Sequence, residues 1–198
     1  MSIVIGLTGP TGSGKSSTAA VCKKFGIKVV DCDKIARKAT EKGTNGLNAL
    51  VKVFGADILN SDQTLNRKVL ANKAFSTKEN TETLNNTIFP FIKDLVLGEI
   101  DCEKVLLDAP TLFESGINCV CTKTVAVLSD DEIRLKRILK RDNLTETDAK
   151  IRMSAGKSDN FYKQNADYIV YNNLDEQTYL NEFEKVLLKI LKEGKSDE

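Results

Sequence analysis

The sequence predicts an α/β fold built around a parallel sheet. Short apolar runs alternate along the chain with segments of helical periodicity, the pattern of repeated strand–helix–strand units. The first run, Ile3–Leu7, is apolar throughout, as expected of a strand that is buried on both faces. A chain of 198 residues buries roughly 70% of its unfolded surface, which is enough for one sizeable core. We therefore expect a single domain.

The same patterns place the individual elements. The expected strands are Ile3–Leu7, Ile27–Val30, Val105–Leu107, Thr124–Leu128 and Tyr168–Val170. Helices are expected at Lys15–Phe25, 33–41, 66–75, 78–98, 130–142, 145–156 and 175–192, with a frayed end at 194–198. These elements divide the domain into a core (about 1–43, 99–129 and 166–193), a helical insertion (about 44–98) and a charged lid (about 130–165). Insertions of this kind often cover the substrate in α/β enzymes.

Composition excludes several classes of function. Lys and Arg number 29 against 28 Asp and Glu, so no broad basic surface is expected to bind nucleic acid or anionic lipid. The sequence has no apolar run of transmembrane length and no recognisable signal peptide. Five scattered cysteines are typical of reduced thiols in a cytoplasm. The absence of histidine excludes Ser-His-Asp and Cys-His catalysis.

A glycine-rich motif follows the first strand. Residues Gly9–Ser16 satisfy the phosphate-loop (P-loop) pattern G-x-x-x-x-G-K-[ST], directly before a helix. Lys15 is expected to reach the β- and γ-phosphates, and the Ser16 hydroxyl to bind Mg²⁺. The nucleotide-binding residues expected here are Gly12, Ser13, Gly14, Lys15, Ser16 and Ser17. The motif indicates nucleotide binding, but ATPases, GTPases and kinases all use it.

Acidic residues follow two other strands. Asp31 and Asp33 come after the second strand, at the carboxyl edge where parallel sheets bind ligands. Asp33 has two interpretations that remain open: a general base for an attacking hydroxyl, or the N-cap of a helix beginning at Lys34. Asp108 ends the third strand in the manner of a Walker-B acid that holds Mg²⁺.

Basic residues repeat along the predicted lid. Arg134, Arg137 and Arg141 have i, i+3, i+7 spacing, which places them on one side of a helix. They either form a solvated face that neighbouring acids balance, or neutralise charge on a transferring phosphoryl group. Beside a P-loop the second interpretation is favoured for Arg137 and Arg141.

Taken in order, these segments resemble the dephospho-CoA kinase family. The resemblance runs from residue 3 to about 173, and the segments that carry it are Ile5–Gly9, the P-loop, Val29–Arg37, Phe54–Gly55, Leu65–Arg67, Ile88–Pro90, Asp108–Gly116, Arg137–Asp142 and Ala166–Asn173. The sequence departs from the family pattern at four places. Within the P-loop, Pro10-Thr11 stands where Gly-Ile is common. Asn66 stands where the family usually has Asp, Phe89 replaces a frequent His, and Gly156 a frequent Gln.

The resemblance implies a three-layer α/β/α P-loop NTPase fold with a five-stranded parallel sheet. It implies ATP-dependent phosphorylation of the 3′-hydroxyl of dephospho-CoA, with ATP and Mg²⁺ as cofactors. We also expect a monomer. Asp33 stands at the general-base position, and Lys15 and Arg141 complete the expected catalytic set. The other implied assignments are Arg137, Arg141, Asn172 and Asn173 to ATP, Asp31, Asp33, Arg67 and Asp108 to the substrate, and Ser16 and Asp108 to the metal.

Two alternative functions remain open at this point. A kinase for another hydroxyl acceptor would share the same phosphate-binding loop. A nucleotide-binding switch or a non-catalytic relative would also share it. A GTPase switch should show an Asn-Lys-x-Asp segment, and the one similar run, Asn72–Phe75, lacks the Asp.

Overall fold

The computed structural model describes residues 2–196 and has a five-stranded sheet at its centre. The strands are β1 (Ile3–Thr8), β2 (Lys28–Asp31), β3 (Lys104–Asp108), β4 (Lys123–Leu128) and β5 (Tyr168–Tyr171). Their order is β2-β3-β1-β4-β5, and β1 pairs in parallel with β3 and β4, as β4 does with β5. The predicted parallel α/β fold is confirmed, and every predicted strand end lies within one residue of the observed end.

Nine α-helices lie between residues 2 and 196, and none of them is long and apolar enough to cross a bilayer. They are α1 (Thr18–Lys24), α2 (Cys32–Lys38), α3 (Asn45–Phe54), α4 (Arg67–Ala74), α5 (Lys78–Gly98), α6 (Asp131–Asp142), α7 (Glu146–Ser154), α8 (Asp159–Asn165) and α9 (Glu176–Ser196). Short 3₁₀ turns cover Lys15–Ser17, Ala56–Ile58 and Ile117–Val120. The predicted frayed end is helical as far as Ser196, and residues 197 and 198 lie outside the described part of the chain.

Contacts divide the chain into two compact units. The first comprises Met1–Val30 and Cys102–Glu198, and the second comprises Asp31–Asp101. The second unit is wider than the predicted insertion at 44–98, because α2 packs against α5 and so belongs with it.

The core of the first unit has two sides because successive strand residues point to opposite faces of the sheet. On one side Val125 and Val127 pack with the apolar faces of α1 and α9. On the other side Ala126 and Leu128 pack with Tyr162 of α8. This is the expected three-layer arrangement, and each fully buried aliphatic side chain contributes about 1.5–3 kcal/mol to it.

Side-chain caps begin the helices of the second unit. The Thr44 side chain accepts a hydrogen bond from Leu47 N at the start of α3, and Thr77 accepts one from Asn80 N at the start of α5. Asn66, one of the departures from the family pattern, accepts from Val69 N and begins α4. Asn and Asp cap helices about equally well, so this departure preserves the local structure.

Candidate active site

The P-loop connects β1 to α1 through a turn that only glycine tolerates. Gly14 has φ 90° and ψ 26°, in the left-handed region, directly before the 3₁₀ turn Lys15–Ser17. A Cβ atom on Gly14 would lie 2.3 Å from Asn172 Nδ2. The Lys15 ammonium donates a hydrogen bond to Gly9 O at 3.0 Å, so this side chain folds back over the loop. The sequence motif therefore forms the compact loop that phosphate binding requires.

A cavity of about 550 Å³ opens beside this loop, within the first unit. Its volume lies within the roughly 300–1,000 Å³ typical of small-molecule sites. Three basic side chains and one acidic side chain line it, so it is locally positive although the whole chain is nearly neutral. The lining residues are Gly12, Gly14, Ser16, Ser17, Arg137, Lys140, Arg141, Asn172, Glu176 and Tyr179. The structure thus brings together seven of the residues that the sequence assigned to the nucleotide.

Arg137 reaches from α6 to the P-loop. One terminal nitrogen donates to Gly12 O at 3.4 Å, to Ser13 O at 3.3 Å and to Ser129 Oγ at 3.2 Å. The other donates to the backbone and side-chain oxygens of Asn172, at 3.1 and 3.0 Å. Both ends of the guanidinium therefore already bind protein oxygens.

Arg134, one helical turn before Arg137, is 5% exposed and also contacts the loop. Its Nε donates to Thr11 O at 3.0 Å. Its charge is balanced by Asp131 at 2.9 Å and by Asp159 of α8 at 3.7 Å. A buried arginine requires such partners, since an unpaired charge there would be strongly destabilising.

Arg141, at the end of α6, is 56% exposed and has a different environment. Its guanidinium makes two parallel bonds to the carboxylate of Asp142, at 2.7 and 2.8 Å. Arg152 of α7 donates to the same carboxylate at 2.7 Å. The hydrogen bond from Arg141 holds the pKa of Asp142 below its ordinary value and raises the pKa of Arg141. Two arginines therefore share one acid beside the cavity.

The two asparagines after β5 have separate environments. Asn172 is 5% exposed and donates from Nδ2 to Ser13 O at 2.8 Å. The side chain of Asn173 instead pairs with Asp130, accepting from its backbone N and donating to its carboxylate, both at 2.8 Å. Asn173 thus stabilises the start of α6 and is not among the residues that line the cavity.

Asp108 and Tyr179 lie close to the same region of the first unit. Asp108 is the last residue of β3 and pairs in register with Leu7, just before the P-loop. Tyr179 is 1% exposed, and its hydroxyl makes no hydrogen bond to any residue between 2 and 196. Burial, and next the charge of Asp108, raise the pKa of Tyr179 above its ordinary value. The Tyr179 side chain, which lines the cavity, is therefore a buried phenol that stays protonated at neutral pH.

In the second unit the structure decides which aspartate begins α2. The helix starts at Cys32, and Asp31 accepts a hydrogen bond from Lys34 N at 3.0 Å. The alternative in which Asp33 caps a helix beginning at Lys34 is wrong, because the helix starts two residues earlier. Asp33 is exposed in the first turn of the helix.

Arg67, the predicted substrate-side arginine, also lies in the second unit. It is the first residue of α4, exposed, and donates a hydrogen bond to Thr40 Oγ1 at 3.1 Å. One contact of this kind still leaves most of a guanidinium's five N–H donors for other acceptors.

Three residues of the cavity region were missed by the sequence prediction, namely Ser129, Glu176 and Tyr179. Lys140, which also lines the cavity, extends the basic side of α6 that the sequence predicted. Ser129 could have been found, because it follows β4 by one residue at the carboxyl edge of the sheet. Glu176 and Tyr179 begin α9, and nothing in their spacing indicates that this end of the helix reaches the P-loop region.

Known proteins share both the sequence pattern and the fold. The family model for dephospho-CoA kinase matches residues 3–177. A dephospho-CoA kinase from Listeria monocytogenes serotype 4b is 39% identical over 179 residues, which cover 87% of this chain and 90% of the relative.

Two solved structures extend the likeness to three dimensions. TT1252 from Thermus thermophilus has a TM-score of 0.82 at 28% identity, covering 95% of this chain and 97% of its own. A dephospho-CoA kinase from Campylobacter jejuni has a TM-score of 0.70 at 26% identity, covering 98% of this chain and all of its own. A P-loop that opens onto a basic cavity and a family match over most of the sequence lead to one conclusion: this chain belongs to the dephospho-CoA kinase family.

Proposed function

We propose that this chain transfers the γ-phosphoryl group of ATP to the 3′-hydroxyl of dephospho-CoA, giving ADP and CoA. This reaction is the last step of coenzyme A synthesis. One observation carries the proposal: a complete P-loop beside a basic cavity of about 550 Å³, in a chain whose residues 3–177 match the family. Catalysis of this kind consists of positioning the two substrates and stabilising charge on the transferring group.

The triphosphate is assigned to the P-loop. Backbone N–H groups of residues 12–17 and the Lys15 ammonium bind the phosphate oxygens. Arg141 faces the same cavity and stabilises negative charge on the transferring group. To do so it exchanges Asp142 for phosphate, and the Asp142 carboxylate keeps a charged partner because Arg152 also donates to it, at 2.7 Å.

Mg²⁺ is assigned to Ser16 and Asp108. A hydroxyl beside the cavity and a carboxylate at the end of β3 fit this ion, because Mg²⁺ prefers oxygen ligands and takes the rest from phosphates and water. Among residues 2–196 no group of three or more His, Cys, Asp or Glu is placed to hold a metal, so an all-protein cage is not expected. When bound, the ion neutralises charge on the phosphates.

The acceptor hydroxyl is assigned to Asp33. This carboxylate follows β2 by two residues, and its exposure leaves it accessible to a substrate. As a general base it takes the proton of the attacking hydroxyl. Asp31, Arg67 and Asp108 are assigned to binding of dephospho-CoA, and Asp31 contributes by fixing the start of α2.

The remaining assignments concern the whole chain. We assign residues 44–98 to acceptor binding and residues 130–165 to a lid over ATP. The protein is proposed to act as a monomer without nucleic-acid or membrane partners, in keeping with its nearly balanced charge. A cytoplasmic location is proposed because its five cysteines form no disulfide among residues 2–196.

The test is ADP release from purified protein with Mg-ATP, with and without dephospho-CoA, and mass spectrometry of the product. A gain of about 80 Da on dephospho-CoA, at one ADP per product, is the expected result for phosphoryl transfer. Turnover with another hydroxyl compound alone would keep the kinase and reject the acceptor. Tight ATP binding without turnover on any acceptor would favour a non-catalytic relative.

A further inference from the structure

Side chains from outside the P-loop bind three of its consecutive backbone carbonyls. They are the carbonyls of Thr11, Gly12 and Ser13, in that order. The first, Thr11 O, accepts a hydrogen bond from Arg134 Nε at 3.0 Å. The second and third accept from one nitrogen of Arg137, at 3.4 and 3.3 Å, and the third also accepts from Asn172 Nδ2 at 2.8 Å. We call Arg134, Arg137 and Asn172 the carbonyl clamp.

The clamp is itself held firmly in place. Asn172 donates from its backbone N to Leu128 O at 2.8 Å, and its own carbonyl accepts from Ser129 Oγ at 2.7 Å. The α6 backbone also approaches the loop closely, since a Cβ atom on Gly12 would lie 2.9 Å from Arg134 O. A loop that contacts such a rigid frame has little freedom to rotate its peptide groups.

Fixing the carbonyls has a consequence for the N–H groups of the same loop. In a phosphate-binding nest, successive N–H groups point inward at the anion, so their orientation decides how well they bind. A donor on a peptide oxygen holds the peptide plane, and it also polarises the peptide and strengthens the donor at its other end. Positively charged donors such as Arg134 and Arg137 have the larger effect.

We propose that Arg134, Arg137 and Asn172 are positioning residues that preorganise the P-loop for the triphosphate. Asn172 acts through Ser13 and does not contact the adenine, in contrast to the assignment that the resemblance implied. Arg137 likewise acts through the loop carbonyls, because both of its terminal nitrogens bind protein oxygens. The proposal rests on the proposed function only in placing the triphosphate of ATP at the P-loop.

The test compares two ligands that differ only in the adenosine. In Asn172→Ala, calorimetry should show that ATP and inorganic tripolyphosphate, each with Mg²⁺, both bind about tenfold more weakly, the effect of one lost hydrogen bond near 1.4 kcal/mol. Weaker ATP binding with unchanged tripolyphosphate binding would overturn the proposal and place Asn172 against the adenosine. Unchanged binding of both ligands would overturn it too.

The control removes a similar link at the opposite end of the same two strands. Asp167 accepts hydrogen bonds from Thr124 N and Thr124 Oγ1, both at 2.7 Å, where β4 and β5 begin. Asp167→Ala should lower the melting temperature as Asn172→Ala does, but leave both affinities at the parent values. Equal loss of tripolyphosphate affinity in the two variants would refute the proposal, because the weaker binding would then follow from lower stability of the fold and not from the loss of the clamp.

A second variant covers the case in which Asn172→Ala fails to fold. Asn172→Asp preserves the side-chain volume and the acceptor for Arg137, but replaces the donor to Ser13 O by an oxygen. Tripolyphosphate should bind at least about tenfold more weakly to it, and parent-like binding would refute the clamp. If the parent binds tripolyphosphate but does not phosphorylate dephospho-CoA, the proposed function fails while this comparison still decides the clamp. If the parent binds neither phosphate ligand, both proposals fail.

Discussion

A single methyl group on Gly14 tests how closely the P-loop and β5 are packed. Gly14 and Gly26 both have left-handed backbone, with φ of 90° and 66°. A Cβ atom on Gly14 would lie 2.3 Å from Asn172 Nδ2, whereas one on Gly26 would have nothing within 4 Å. Gly26→Ala therefore measures the backbone strain alone, and Gly14→Ala measures the strain and the steric clash together.

The expected losses of stability follow from these contacts. A non-glycine residue in left-handed conformation costs about 1–2 kcal/mol, which applies to both variants. In Gly14→Ala the Asn172 amide must also move, so its bond to Ser13 O is lost and buried polar groups remain unpaired, at about 1–3 kcal/mol more. For a chain of this length 1 kcal/mol corresponds to roughly 2–4 °C in melting temperature.

The assay is thermal unfolding of the parent and both variants, with the dissociation constant of ATP measured alongside. We expect Gly14→Ala to melt at least about 2 °C below Gly26→Ala and to bind ATP more weakly, while Gly26→Ala binds ATP as the parent does. Equal melting temperatures and equal ATP affinities in the two variants would refute the close packing of Asn172 on the loop.

Three further predictions address chemistry and pH. Lys15→Ala should abolish ADP release, since it removes the loop's own cation, and a substantial remaining rate would contradict its role. Asp33→Asn should lower kcat by about 10²–10⁴ with unchanged ATP affinity, and turnover at the parent rate would exclude the general base. Burial raises the pKa of the Cys22 and Cys121 thiols from 9.0 to about 12, so the folded state retains protons that the unfolded state loses. Stability should therefore fall between about pH 9 and pH 12, and Cys22→Ala should reduce the slope of melting temperature against pH; an identical slope would assign the decline to other groups.

Most of the fold could be predicted from the sequence, but two helices could not. α8 is only seven residues long, and its clearest signal is the Ser158 cap. α3 contains Gly46, a poor helix former, so its sequence does not favour a helix strongly. The structure supplies the reason for the glycine: a Cβ atom at Gly46 would lie 2.2 Å from Ala39 O. Tertiary packing therefore overrides the local preference there.

For the candidate site, too, the sequence could predict some features and not others. Spacing places the P-loop glycines and Lys15 together, because they lie within one turn and a local motif needs no distant partner. The aspartate pair shows the limit of such reasoning. Asp31 caps α2 because the helix starts at Cys32, two residues before the Lys34 start that a cap at Asp33 would require.

The sequence by itself determined the strands, the P-loop, the family and the presence of arginines on one side of α6. Only the tertiary structure decided what each arginine does. Arg134 donates a hydrogen bond to the carbonyl of Thr11, 123 residues away in the sequence, while Arg141 donates to its neighbour Asp142. Periodicity is a property of one helix, and it predicts which side chains share a face. The partner of each side chain depends on distant strands and loops that come together only when the sheet forms.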